Sequence, residues 1–367
     1  MTNNELTSEK FFYSYNCFNS CLGTLLKDYF KWGINLALHS NWQFFYSKTW
    51  LYDNDNRFTG EYPHPYDLST FSKLNNILGV HVKVSDKNLN NATDIISELS
   101  YNGKFIVLVN KYFFDRYEGR QKPVDLLTTA IIDRYNPIVE KIHYYLGDDN
   151  FSSCGWIDIS KFLMACKYAP HGYKINGLLF NMGIKELDSE KDIESKRKKM
   201  VRTAISDIVS SANEYIVGRR EENTWYGAPA IKIFAEDILT WQEHPMLYET
   251  RDNIVIFKRL IDCAIYLEFV RKQREVFTTA LSEISETILQ RDSHKCNWIN
   301  QIEDITKKWT YLKFMLFLAG SRKQLGALKN ISIEINSLYK SETEFMEDIY
   351  VSLDKVVYKD HLGDTYF

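Results

Sequence analysis

Asn16 and Cys17 are the residues of this chain best placed to do chemistry. Phe18, Leu22, Leu25 and Tyr29 recur at spacings of three and four, the period of one α-helical face. Asn16 is a favourable N-cap, because its side-chain oxygen can accept a first-turn backbone N–H. Cys17 is thereby predicted at the helix start, where unpaired N–H groups and the positive end of the helix dipole stabilise a thiolate. A thiolate so placed can attack an acyl carbon. Cys21, one turn later on the same face, reads as a space-filling thiol, since cysteine is among the most buried residue types. That plain role is also the alternative for Cys17.

The elements that must position this helix start follow in order. Trp42-Gln43-Phe44-Phe45-Tyr46 is aromatic, and Tyr62-Pro63-His64-Pro65 is a surface loop, extended by its two prolines. Leu74-Asn75-Asn76-Ile77-Leu78-Gly79 reads as a helix ending at a C-cap glycine. Val80, Val82 and Val84 alternate as a strand. Further strands are predicted over 104–109, 126–135, 141–146 and 174–182, with helices over 94–99 and 159–166. Asn136-Pro137 makes the turn between the second and third of these strands, and Gly147-Asp148-Asp149-Asn150 closes the third. One helix followed by a mainly antiparallel sheet is an α+β arrangement. Residues 186–199 are dense in charge, and five apolar-periodic stretches follow between 200 and 351. The expected domains are therefore 1–185, α+β, and 186–367, all-helical.

Composition narrows the partners. The net charge of −3 offers no basic excess with which to neutralise phosphates, so nucleic acid is not the expected partner. Apolar residues at 45% and charged residues at 25% fit a soluble globular chain. The 24 Tyr and 22 Phe suit wide grooves as well as aromatic cores. No run of 18 apolar residues exists, so no membrane span is expected. Met1-Thr2-Asn3-Asn4-Glu5 is polar, without a signal-peptide core. The cysteines at 17, 21, 154, 166, 263 and 296 form neither a C-x-x-C pair nor a zinc-spaced Cys/His cluster. They read as reduced thiols in a cytoplasmic protein without a metal.

The order of these features resembles the butirosin biosynthesis protein H family, in which a papain-like N-terminal domain precedes a helical one. Asn16-Cys17-Phe18-Asn19-Ser20-Cys21-Leu22 stands where that family has its nucleophile helix. Phe105-Ile106-Val107-Leu108-Val109-Asn110-Lys111-Tyr112-Phe113 resembles its apolar strand and aromatic segment, and Thr128-Thr129-Ala130-Ile131-Ile132-Asp133-Arg134-Tyr135-Asn136 its histidine-bearing strand. The strand over 142–149 resembles the one that ends in an acid. Trp225-Tyr226-Gly227-Ala228-Pro229-Ala230 and Leu267-Glu268-Phe269-Val270-Arg271 resemble recurrent segments of the helical domain. The resemblance implies amide-forming acyl transfer in specialised-metabolite biosynthesis, for which a linear amide or thioamide antibiotic such as closthioamide would be a setting. An acyl or peptidyl carrier protein would present the acyl group on phosphopantetheine, and a small amine would accept it. No cofactor of the chain's own is implied. Cys17 would be the nucleophile and Asp148 the orienting acid, with Asn16, Thr128 and Thr129 lining the substrate site.

The chain departs from that pattern where the histidine should stand, at Thr128 or Thr129. His143 is the nearest histidine in sequence and the candidate substitute. It lies five positions before Asp148, an odd spacing that turns the two side chains to opposite faces of a regular strand, unless a bulge intervenes. His39, His64 and His171 are the remaining candidates to reach the groove. A thioester is an activated acyl donor and demands less of a base than a peptide bond does. Three readings result: a cysteine-dependent acyltransferase, a binding or scaffold protein that kept the fold without the chemistry, and a cysteine hydrolase.

Overall fold

In the computed structural model, the described residues are 16–27, 29–30, 32–47, 68–85, 89–119, 126–147, 153–168, 179–184, 190–241, 254–288 and 294–361. They form an α+β protein with antiparallel sheets and a helical C-terminal region. Two compact units emerge, one from Met1–Leu38 with Pro63–Glu190 and the other from His39–Tyr62 with Lys191–Phe367. Of the described residues before the C-terminal helices, 39–47 belong with the C-terminal unit.

In the first unit, α1 (Cys17–Leu26) is buried at every residue after Cys17. It ends before Tyr29, which is 56% exposed, so Tyr29 does not extend the buried face as its spacing suggests. Next come α2 (Ile34–His39) and α3 (Leu68–Lys73); α3 runs into a π-helical turn that ends at left-handed Gly79, φ 67°. The sheet is built from β2 (Val80–Ser85), β3 (Phe105–Asn110), β4 (Leu127–Asn136), β5 (Lys141–Leu146), β6 (Cys154–Asp158) and β7 (Leu179–Ile184), in the spatial order β2-β7-β3-β4-β5-β6. All five pairings are antiparallel. Helices α4 (Ala92–Asn102), α5 (Lys111–Tyr117) and α6 (Ile159–Lys167) are the unit's remaining helices among the described residues. Asn110 ends β3 and starts α5 in one step, because its side chain accepts the Tyr112 N–H at 2.9 Å.

Alternation assigns the two faces of this sheet. Phe105, Val107, Val109, Ala130, Ile132, Ile142, Tyr144 and Leu146 share one core with Ile95 of α4, Phe114 of α5 and Phe162 of α6. The opposite face carries Thr129, Ile131, His143 and Tyr145, all of them buried, and α1 packs there against β4. Neither α5 nor β6 is predicted by the sequence pattern. The first is a seven-residue helix abutting a strand, and the second is a five-residue edge strand with little alternation.

The second unit is not all-helical. It holds a three-stranded antiparallel sheet, β1-β9-β8, of β1 (Phe45–Ser47), β8 (Arg219–Glu221) and β9 (Thr224–Tyr226). Its helices are α7 (Glu190–Val217), α8 (Ala228–Thr240), α9 (Ile254–Ile288), α10 (His294–Ser321) and α11 (Leu328–His361). The charged stretch after 186 is thus largely the start of α7. Helices α9 and α10 run antiparallel: Gly320 lies against Phe257 and Leu260, and Lys313 reaches Glu268 at 2.6 Å.

At the centre of this unit Glu342 of α11 and Arg274 of α9 are fully buried and paired through two bonds, at 2.9 and 2.8 Å. The same carboxylate accepts Trp309 Nε1–H at 2.5 Å, Trp42 Nε1–H at 3.3 Å and the Tyr215 hydroxyl. Arg274 also donates to the Gln43 carbonyl at 2.8 Å. Burial, and next the Glu342 carboxylate, push the Tyr215 phenol well up. Trp42, Phe44 and Tyr46 are buried in the same unit, with Tyr46 donating to Asp237 at 2.5 Å. These bonds explain why the 39–47 segment joins the helices.

Breaking the Arg274–Glu342 pair leaves one charge buried without its partner, which costs about 3–5 kcal/mol. Arg274→Ala and Glu342→Ala are each expected to lower the free energy of unfolding by that amount in denaturant titrations, and a variant within about 1 kcal/mol of wild type, the worth of a surface pair, contradicts it. His39 gives a pH signature. It is buried, with Nδ1 2.8 Å from Thr279 Oγ1, and burial lowers its pKa to about 3. The unfolded chain therefore takes up a proton near pH 6.5 that the folded chain refuses. The contribution of His39 is complete above about pH 6.5 and is lost as the pH falls toward 3. In His39→Asn the decline of stability between those pH values should be visibly shallower than in the wild type.

Candidate active site

The start of α1 is built as its sequence implies. Asn16 has extended backbone, φ −137° and ψ 157°, and its Oδ1 accepts the Asn19 N–H at 2.7 Å. Cys17 is the first helical residue and is only half-buried, whereas Cys21 is completely buried. The helix start thus leaves one of the two cysteines half-buried, and the next turn encloses the other.

What holds that turn on the sheet is the pair of strands β4 and β5. Thr129 is fully buried and its Oγ1 donates to Cys21 Sγ at 3.5 Å. In return, Cys21 Sγ donates to the Thr129 carbonyl at 3.8 Å. The same carbonyl accepts the N–H of Gly147, the residue that follows β5, at 2.8 Å. Gly147 in turn lies directly beneath the helix. A Cβ there would sit 2.6 Å from Cys21 Sγ and closer still to the Cys17 carbonyl oxygen. Glycine is required at 147 for close approach of backbone to backbone.

The remaining candidates fall in different places. Thr128 is buried, and alternation puts it on the face of Ala130 and Ile132, opposite Thr129. Of the two threonines, therefore, only Thr129 faces α1, and its hydroxyl is directed to Cys21. His143 is four residues before Gly147, about 13 Å along the strand at 3.3 Å per residue. Its ring is held there: Nδ1 lies 2.9 Å from Asp133 Oδ1, Arg134 Nη2 lies 3.4 Å from Nε2, and Tyr145 and Trp156 meet it edge-on. The structure does not bring His143 to the start of α1.

A bulge does exist, but on β4. The register shifts between Ile132 and Arg134, so that Asp133 is the extra residue and turns its carboxylate to His143. His143 is thus the partner of a bulge, a role that the pairing of two strands decides and single-strand spacing does not reveal. His39 is enclosed in the second unit against Thr279. Asp148, His64 and His171 lie outside the described residues. In the sequence Gly147 reads as a turn glycine; the signal for its second role is a glycine at a strand end opposite a residue that touches a helix. Among the described residues no group of three or more His, Cys, Asp or Glu could hold a metal ion, and no helix is long and apolar enough to cross a membrane.

Chemically, this arrangement offers a half-buried cysteine at the positive end of a helix dipole, where a developing oxyanion is stabilised. Set against known proteins, the chain matches neither a protein-family model nor a curated sequence.

Gly147→Ala tests the close approach. The added methyl meets backbone rather than a flexible side-chain end, so α1 must shift. A loss of about 1–3 kcal/mol in unfolding free energy is expected from such overpacking, together with altered reactivity of Cys17 toward iodoacetamide. Wild-type stability and alkylation rate in this variant would show that the two backbones do not touch.

Proposed function

We propose that the chain is a cysteine-dependent acyltransferase that forms an amide, with Cys17 as the transient acyl carrier on a papain-like first unit. One observation carries the reading: of the two cysteines one turn apart on α1, the one at the helix start is only half-buried, and the other is sealed against the sheet. A nucleophile needs that combination of access and fixed position.

The chemistry divides into two transfers. The Cys17 thiolate attacks the carbonyl of an acyl thioester, and the oxyanion forms at the positive end of α1. Collapse breaks the donor's C–S bond, and the donor thiolate leaves and takes a proton from water. An amine then attacks the acyl-Cys17 thioester, loses its proton to solvent, and expels the Cys17 thiolate as the amide forms. The donor suited to this site is activated, such as an acyl group on the phosphopantetheine of a carrier protein, with a small amine as acceptor. Thr129 carries no base into the site, and a thioester donor demands less from one than a peptide does. That favours acyl transfer over peptide hydrolysis. The commitment of the Thr129 hydroxyl to Cys21 favours a second reading, a binding protein on the same fold that does no chemistry.

Intact mass spectrometry after exposure to an acyl N-acetylcysteamine thioester separates the two. One acyl group should be gained by the wild-type protein, retained in Cys154→Ala, which removes the exposed competing thiol among the described residues, and lost in Cys17→Ala. A protein that takes up no acyl group, or takes it up equally in Cys17→Ala, is the binding protein of the second reading.

A further inference from the structure

The contacts of Thr129 point beyond the assignment of a nucleophile. Its hydroxyl and its carbonyl both engage Cys21 Sγ, at 3.5 and 3.8 Å, and its carbonyl also takes the Gly147 N–H at 2.8 Å. Gly147 then lies against the carbonyl of Cys17 itself. One peptide of β4 is therefore connected by two short routes to the residue that carries the open thiol. Cys21 is completely buried, so it is unsuited to reach a substrate, and Thr129 has no group that takes a proton near neutral pH.

From this geometry we infer that Thr129 and Cys21 act together as positioning residues, a hydroxyl–thiol latch that holds the first turn of α1 on β4 and β5 and thereby sets where the Cys17 sulfur stands. The inference rests on the reading of Cys17 as the acyl acceptor, and it gives the strand position opposite the nucleophile helix a task other than proton transfer. Displacement of a reacting atom by about 1 Å can cost on the order of a hundredfold in rate, so loss of the latch is felt in the transfer step more than in thioester binding.

The test is the single-turnover acylation of Cys17 by an acyl N-acetylcysteamine thioester. Thr129→Val keeps the shape and the carbonyl but removes the hydroxyl. Its limiting acylation rate should fall by about tenfold or more, with the thioester concentration for half-maximal rate unchanged. Thr129→Ser should restore the rate. Cys21→Ala should show the same defect as Thr129→Val, and the double variant should be no slower than either single one, because the two side chains act as one unit. A merely structural threonine would lower the melting temperature and leave the acylation rate of the folded protein alone; that result, or defects that multiply in the double variant, overturns the inference. Should Thr129→Val not fold, Cys21→Ala read against wild type carries the same comparison. If the wild-type protein accepts no acyl group, the acyl-transfer reading falls by itself. The latch is then tested by the pH profile of Cys17 alkylation with iodoacetamide, which must shift in Thr129→Val or Cys21→Ala, and an unshifted profile refutes it.

Discussion

The carboxylate of Glu342 is the point on which the helical unit depends. Four side chains donate to it, from the 39–47 segment, α7, α9 and α10, and of these elements only α10 is a sequence neighbour of α11. A charge with no exposed surface is costly to bury, and only a partner of opposite charge with its remaining sites satisfied offsets that cost. Arg274 supplies the charge, with two parallel bonds in the fork geometry that suits a carboxylate. Burial acts to lower the Arg274 pKa, and the Glu342 carboxylate overrides it, so that the guanidinium is held charged more firmly than in water. The guanidinium also lies over the Trp42 ring, 4.4 Å from its centroid. Such a network tolerates few other arrangements, so it selects one packing of five elements.

That selection explains the path of the chain. The segment after α2 leaves the first unit to place Trp42 and the Gln43 carbonyl on the network, then adds β1 to the β8–β9 hairpin through Phe45, Tyr46 and Ser47. The hydrogen bond from Tyr46 to Asp237 anchors the strand on α8. A short aromatic run thereby serves as core for helices that lie far along the sequence.

In the first unit the corresponding constraint is spatial rather than electrostatic. A helix buried along its length can rest on a sheet at backbone distance only where a side chain is missing, and Gly147 supplies the gap. Thr129 and Cys21 then meet because the strand beside that gap presents one side chain to the helix. The other face of the sheet is a conventional apolar core, built by the alternate residues of the same strands.

Much of this was legible in the residues themselves. Apolar runs and alternation located β3, β4 and β5 to within a residue or two, because their period belongs to the strand alone. The N-cap at Asn16 was equally local, since the oxygen and the N–H it serves are three residues apart. Sequence by itself therefore determined where α1 begins, that Cys17 heads it, and that a helical region follows an α+β one. Tertiary structure alone decided the rest. The allegiance of residues 39–47 depends on a carboxylate some 300 residues away. The place of His143 depends on a bulge in the neighbouring strand, and the division of Cys17 and Cys21 into a half-buried and a sealed cysteine depends on Thr129 of β4 and on Gly147 just past β5. Periodicity records which side of an element is buried; it holds no record of what is buried against it, because that contact is made by residues distant in the chain.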